Sequence, residues 1–345
     1  MNQPANDWAE RILELGLVVQ RQVHQQVCTA DSLEQLAAST GERSGDRIYA
    51  IDRIAEDLVL AEISQWPSEC FPLLLIAEGI GEHGRSFFES PRHSEECPLA
   101  RRPPSKYRLI VDPIDGTRML MSDKRSAWFL AAVAEDHGEE TSLSQTLASV
   151  MVELPPSKQS LADCFWATRG GGTHGFRVDL GCSPETAERR TIDVRPSQNG
   201  TLRDGFISVV SFFPGTKVLA AELTERIALL DLQAGLAPNI FEDQYISTGG
   251  QLAQLMTGRD RCVLDLRPLW SQSTRCNGPV MTAHPYDLAG LLVAQEAGVI
   301  VTDGLGRSLD APLDVTTAVH WCGYANETIR LLIEPVVRAA MTELT

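Results

Sequence analysis

Apolar residues recur every three or four positions near the start of the chain, at Trp8, Ile12, Leu15, Val19, Val23 and Val27. That period matches the turn of a helix, so the stretch predicts an amphipathic helix, entered at Asp7 with Glu10 three residues on. A second helical pattern follows a polar connection at 39–46, with Ile51, Ile54, Leu58 and Ala61 on one side. The pattern then changes. Residues 71–77 form a short apolar run, and it and 107–111 read as buried strands ending at Glu78 and Asp112. Between them, 79–105 is rich in Gly, Pro, Ser and charge and reads as a long loop. Strands are expected again at 127–134, 146–152, 164–168, 175–178 and 206–210, and helices at 215–230, 249–257, 288–297 and 326–341. A strand-rich middle followed by alternating strands and helices favours a layered α+β or α/β architecture. The polar stretch 180–190 marks an expected boundary between subdomains at 1–185 and 186–345.

Composition narrows the field. A chain of 345 residues has room for one large domain or two coupled subdomains. Its net charge is −16, and its densest basic cluster, Arg101-Arg102, runs straight into two prolines. A nucleic-acid polymer needs a stripe of Lys and Arg to displace counterions, so that class of partner is excluded. An acidic protein also repels small anions unless cations screen its site, which is a first hint of metal ions. The 8 cysteines form no C-x-x-C pair and read as reduced thiols, as in a cytoplasmic protein. No signal-like start and no membrane-length apolar run is visible, so no membrane partner is expected.

The chemistry concentrates in Leu109-Ile110-Val111-Asp112-Pro113-Ile114-Asp115-Gly116-Thr117. An apolar strand delivers two acids to its end, and Gly116 permits a tight turn into a helix whose first N–H groups face an anion. Two carboxylates about 4 Å apart repel by roughly 4 kcal/mol at an effective dielectric of 20. They need a shared proton or a divalent cation, and with oxygen donors alone magnesium is the natural ion. The bland alternative is a turn whose acids only bond backbone. The D-x-D spacing of haloacid-dehalogenase-type phosphatases is absent, because two residues separate these acids and one of them is proline.

This segment resembles the signature of the inositol monophosphatase family, which includes fructose-1,6-bisphosphatases and nucleotide 3′-phosphatases. Other stretches agree in order: Ser44-Gly45-Asp46 through Asp52, Leu75-Ile76-Ala77-Glu78, the glycines of 170–175, and Tyr286-Asp287-Leu288-Ala289-Gly290 running on to Glu296-Ala297-Gly298. The resemblance implies a five-layer αβαβα sandwich of the sugar-phosphatase type. It also implies Mg2+-dependent hydrolysis of a small phosphate monoester by metal-activated water, with two or three ions and Mn2+ as a substitute. Glu78, Asp112 and the Ile114 carbonyl would hold one ion, and Asp112, Asp115 and Asp287 a second. Thr117, backed by Asp52, would orient the attacking water, and the Gly116 and Thr117 amides would receive phosphate oxygens. A homodimer is common in the family.

Taken singly, Asp52 reads as a solvated helix acid, Asp287 as an N-cap, Glu78 as a strand end and Thr117 as a capping hydroxyl. Their joint order carries the reading. The chain also departs from the family pattern: Gly79 stands where a second acid is usual, and Val299 replaces a glycine. These departures suggest an alternative, a catalytically weak or inactive relative that binds a sugar phosphate or nucleotide as a sensor. The stretch 266–286 is longer than usual and contains Trp270, Arg275 and His284. Either it shapes recognition or it is a surface insertion. His83 and His93 sit in the long loop. Arg118, Lys124 and Arg125 either meet a second phosphate or balance nearby acids.

Overall fold

A computed structural model describes residues 3–30, 32–43, 46–80, 84–88, 94–96, 104–182, 187–233, 235, 239–276 and 278–344. Ser44, Gly45, His83, His93 and the Arg101-Arg102 pair lie outside them.

The first periodic stretch is helix α1 (Gln3–Thr29), which begins four residues before Asp7. Trp8, Ile12, Leu15, Val19, Val23 and Val27 are all buried, each contributing about 1.5–3 kcal/mol of transfer free energy. A short helix α2 (Leu33–Leu36) comes next, and β1 (Ser39–Arg43) pairs with β2 (Asp46–Tyr49) in a hairpin across the polar connection. Helix α3 (Ala50–Ile63) then packs on α1. Its buried stripe is Ile51, Ala55, Val59 and Ile63. Ile54 and Leu58 are only half-buried and Ala61 is exposed, so the core face is rotated from the expected one.

These helices cover one face of a nine-stranded sheet. Its strands are β3 (Leu73–Ala77), β4 (Arg85–Phe87), β5 (Ser94–Glu96), β6 (Tyr107–Asp115), β7 (Ala127–Glu135), β8 (Ala148–Leu154), β9 (Leu161–Thr168), β10 (Thr173–Asp179) and β11 (Arg190–Thr191). The spatial order is β11-β10-β9-β8-β7-β6-β3-β4-β5. The expected long loop therefore contributes the last two strands at one side of the sheet, β4 and the edge strand β5. Helix α4 (Thr117–Met121) follows β6 directly.

The second sheet contains β12 (Gly205–Val209), β13 (Ile240–Glu242), β14 (Asp260–Asp265), β15 (Ile300–Thr302) and β16 (Trp321–Tyr324), with helices α5 (Lys217–Gln233), α6 (Thr248–Met256), α7 (Arg267–Trp270), α8 (Leu291–Glu296) and α9 (Glu327–Leu344) around it. Alternation along the strands sorts the side chains into three cores. Leu109, Val111, Phe129, Ala131, Val150 and Val152 face α1 and α3. Ile110, Trp128, Leu130 and Met151 face the opposite way, onto apolar residues of α6 and α8. Those helices also meet Val263 and Trp321 of the second sheet. Its far side, Ile207, Val209, Cys262, Leu264 and Cys322, packs on α5 and α9. The layers are helix, sheet, helix, sheet, helix.

Of the cysteines described, Cys70, Cys164, Cys262 and Cys322 are buried, and all seven are free thiols. Among the described residues no helix is long and apolar enough to cross a membrane.

Candidate functional site

Strand register builds the site. β3 and β6 run parallel, with Ala77 beside Val111 and the Glu78 N–H donating to the Val111 carbonyl at 3.3 Å. The next residues, Glu78 and Asp112, are therefore neighbours at the same end of two adjacent strands. β6 pairs antiparallel with β7, Asp112 opposite Leu130 and Asp115 opposite Trp128. Three steps on β6 match two on β7, so one extra residue bulges out at the Pro113-Ile114 corner. Without the bulge, acids three apart would point to opposite faces. With it, both share the face of Leu130 and Trp128, which looks toward α6 and the second sheet. The ladder thus resumes beyond Pro113, whereas the sequence suggested that it ends there.

Asp287 arrives from the other side. It lies in a turn ahead of α8, which is capped by Gly290, so Asp287 is not the N-cap its sequence position suggested. Its Oδ2 accepts the His284 N–H at 2.6 Å. Carboxylate oxygens of Asp112, Asp115 and Asp287 all lie within 4.8 Å of one another. Glu78 stands outside that triplet but lines the same cavity of about 120 Å3.

The electrostatics follow from this crowding. The Asp112 carboxyl is pushed well above the usual carboxylate range, first by burial and then by the charges of Glu78, Asp115 and Asp287. Asp287 is raised in the same sense by burial and by Asp115, while the His284 N–H and Arg267 pull the other way. Asp115 is raised by burial only to about 6, because hydrogen bonds oppose the rise. Its Oδ2 accepts from Ser247 Oγ at 2.8 Å and from the Gly249 N–H at 2.5 Å, and its Oδ1 from the Thr248 N–H at 3.3 Å. These donors form the N-terminus of α6, where the helix dipole favours an anion. Ser247 also caps that helix, accepting from the Gly250 N–H at 2.8 Å. Gly249 allows the approach, since a Cβ there would come within 2.6 Å of Leu130.

Three such carboxylates cannot all ionise unaided. The set is oxygen-only, crowded and mostly buried, which fits a hard divalent cation and not a zinc site of His or Cys. Ile114 lines the same cavity.

Beside the acids, Gly116 has φ 95°, a left-handed conformation that favours glycine, and it opens α4 at Thr117. A Cβ at Gly116 would also meet the Ile246 carbonyl oxygen at 2.9 Å. The Thr117 hydroxyl lies 2.8 Å from Asp52 Oδ1 and 2.8 Å from the Ile114 carbonyl oxygen, two acceptors for its one hydrogen. Asp52 is tied at its other oxygen by the Tyr49 N–H at 3.1 Å, in a capping box at the start of α3. It is thus turned toward Thr117 rather than left as a solvated helix acid.

The second sheet supplies a wall that the sequence only partly signalled. Phe212, Ile246, Ser247, Thr248, Arg267, Met281 and His284 line the cavity. The start of the 266–286 stretch is folded against the core: Trp270 is fully buried, and Arg267 is 3% exposed and bidentate to Asp265. Arg275, in contrast, pairs with Glu222 on α5 and is not part of the cavity lining. Sequence reasoning did not connect Ser247 or Gly249 to Asp115. The Ser-Thr-Gly-Gly run at a helix start was the available signal. The glycines of 170–175 are structural, with the Gly170 and Gly172 N–H groups donating to the Glu296 carboxylate at 2.8 and 2.9 Å.

Solved structures match along nearly the whole chain. The inositol monophosphatase of Thermotoga maritima matches with a TM-score of 0.59 and 19% identity, covering 98% of this chain and 100% of that one. Fructose-1,6-bisphosphatase from Leishmania major gives a TM-score of 0.63 at 13% identity, covering 95% and 94%. The fold is that of the inositol monophosphatases and fructose-1,6-bisphosphatases. Extragenic suppressor protein SuhB from Bartonella henselae shares it too, with a TM-score of 0.58 and 18% identity over 95% of this chain and 98% of that one. At these identities the likeness is one of fold. No protein-family model matches the chain, and no curated protein matches it in sequence.

Proposed function

We propose that this chain is a magnesium-dependent phosphatase that hydrolyses a small phosphate monoester. The observation that carries this reading is the meeting of Asp112, Asp115 and Asp287 within 4.8 Å, on a cavity shared with Glu78 and Thr117. Phosphatases with the same fold, named for inositol phosphate and fructose bisphosphate, support it.

Glu78, Asp112 and the Ile114 carbonyl would hold one ion, and Asp112, Asp115 and Asp287 another. When bound, divalent cations polarise the phosphoryl group, acidify the attacking water and stabilise the departing oxygen. The protein's own groups set the geometry. Thr117 orients water through its hydroxyl, and Asp52 accepts the proton passed along that hydrogen bond. The Gly116 and Thr117 N–H groups receive phosphate oxygens at the start of α4. Asp115, held by Ser247, Thr248 and Gly249, ties the first sheet to the second so that Asp287 stays in register with it.

The sensor alternative leaned on Gly79. That residue has φ 76°, and a Cβ there would run into Glu56 Oε1, so packing against α3 calls for glycine at this position.

The test is phosphate release by purified protein with millimolar magnesium from a panel of sugar, inositol and nucleotide monophosphates, with Asp112→Asn as control. Turnover by the wild type and none by the variant is expected. Release from no ester, or equal release by both proteins, contradicts the proposal.

A further inference from the structure

Asp287 follows a long connection, so a short loop from the strand before it cannot place it. That strand, β14, ends at Asp265, and the 266–286 stretch begins directly after it. A connection of this length, left untied, samples many geometries, and fixing its far end costs conformational entropy. The structure shortens it with one bond. Arg267 Nη1 donates to the Met281 carbonyl at 2.7 Å, from 14 residues away along the chain. Residues 268–280 lie between the two ends of this bond, and Asp287 comes shortly after it.

Arg267 is fixed on its other sides. Asp265 takes its Nε–H at 2.8 Å and an Nη2–H at 2.6 Å, and the guanidinium lies 4.6 Å over the Phe212 ring. Asp265 is fully buried at the end of β14, which runs between β12 and β16. The Arg267 bond is therefore anchored in the middle of the five-stranded sheet. Past Met281 the chain is tied again. The Val319 N–H donates to the Ala283 carbonyl at 2.8 Å, and the His284 N–H to Asp287 Oδ2 at 2.6 Å. A guanidinium presents five N–H donors in a rigid fork, so it can hold a carboxylate and a carbonyl at once. A lysine ammonium has one nitrogen for both.

We propose that Arg267 is a positioning residue: with Asp265 it clasps the neck of the 266–286 stretch at Met281, so that Asp287 meets Asp112 and Asp115 independently of the residues beyond the neck. This deepens the metal-dependent reading above and rests on it for the ions. Burying an ion pair costs the hydration of both partners. Here that cost accompanies a link between the sheet and the segment that carries a cavity acid. Arg275, beyond the neck, pairs with Glu222 on α5 and by this account does not bear on the cavity.

Removing Arg267 alone would leave Asp265 buried without its partner. The test therefore removes both charges, in Asp265→Asn with Arg267→Met, which keeps the net charge of the chain. Two readouts need no substrate: Mn2+ affinity from the electron paramagnetic resonance signal of the free ion, and hydrogen exchange of the amides in 281–287 followed by mass spectrometry. The double variant is expected to bind Mn2+ at least about tenfold more weakly, as when a group supporting a ligand is lost. Its 281–287 amides are expected to exchange at least about tenfold faster, because the segment opens locally. Arg267→Lys, which keeps the charge and loses the fork, is expected to fall between the double variant and the wild type. Arg275→Ala is expected to match the wild type in both readouts.

Mn2+ affinity equal to that of the wild type in the double variant overturns the inference; a rise in KM alone would then mean that Arg267 meets the substrate. A loss in Arg275→Ala as large as in the double variant overturns it too, because the whole stretch and not its neck would place Asp287. If the double variant does not fold, Arg267→Lys decides, and wild-type values in both readouts overturn the clasp. A wild type that binds no Mn2+ overturns the metal-dependent reading instead. The exchange readout then still decides the clasp, and equal exchange in the wild type and the double variant overturns it.

Discussion

The two sheets contribute to the cavity in different ways. The nine-stranded sheet supplies a floor from the ends of adjacent strands, so Glu78, Asp112 and Asp115 are placed by register and one bulge. The five-stranded sheet supplies a wall from separated turns: Ser247 to Gly249 at the start of α6, Arg267 after β14, and Met281 to Asp287 ahead of α8. Backbone hydrogen bonds within a sheet hold the floor. The wall is held by side-chain contacts, such as Asp115 on α6 and Arg267 on Asp265.

The sharpest way to break that division is to cut the wall's one acid in the triplet. Asp287→Asn keeps an acceptor for the His284 N–H but removes a charge, and phosphate release is expected to fall by roughly a thousandfold with the melting temperature unchanged or raised. Ser247→Ala, which leaves every carboxylate in place, is expected to cost about tenfold and on the order of 1 kcal/mol, for the lost cap and the lost bond to Asp115. Equal losses from the two variants would deny Asp287 a role beyond structure.

A buried acid outside the cavity gives the smallest effect and sharpens the contrast from the other side. Asp260, at the start of β14, is raised to about 7 by burial and by Asp243. A carboxyl raised in the folded state favours folding below its unfolded value near 4, and that contribution is lost as pH climbs to about 7. Asp260→Asn should therefore raise the melting temperature at pH 8 by roughly 3 °C and give no gain at pH 4. Thermal unfolding at the two pH values checks this, and a gain at pH 4 alone would contradict it. Phosphate release by the variant should match the wild type, because Asp260 is not among the residues lining the cavity.

What could be read in advance follows the same division. The candidacy of Asp112, Asp115 and Thr117 was legible because strand and turn lie in one contiguous segment with distinctive residues, whereas the bulge that puts both acids on one face was not. The burial of α1 was legible because its apolar period is sustained over many turns. The buried face of α3 was misjudged because apolar residues flank it on two sides, and tertiary packing chose Ile51, Ala55, Val59 and Ile63. Asp287 was assigned to the acids through its motif; taken singly it looked like an N-cap, because a turn before a helix and the helix's first turn look alike in sequence. The short strands β4 and β5, at one side of the sheet, were hidden in polar, Gly- and Pro-containing sequence. The partners of Asp115 lie more than a hundred residues away and make sense only once the two sheets face each other.

The central claim is that Asp112 stands among acids arranged to share divalent cations. Manganese binding measured by electron paramagnetic resonance, without any substrate, tests it most directly. The wild-type protein should remove the six-line signal of free Mn2+ as protein is added, and magnesium should bring the signal back. Asp112→Asn, folded to the same melting temperature or higher, should leave the signal in place. Equal Mn2+ binding by the two proteins would contradict the account.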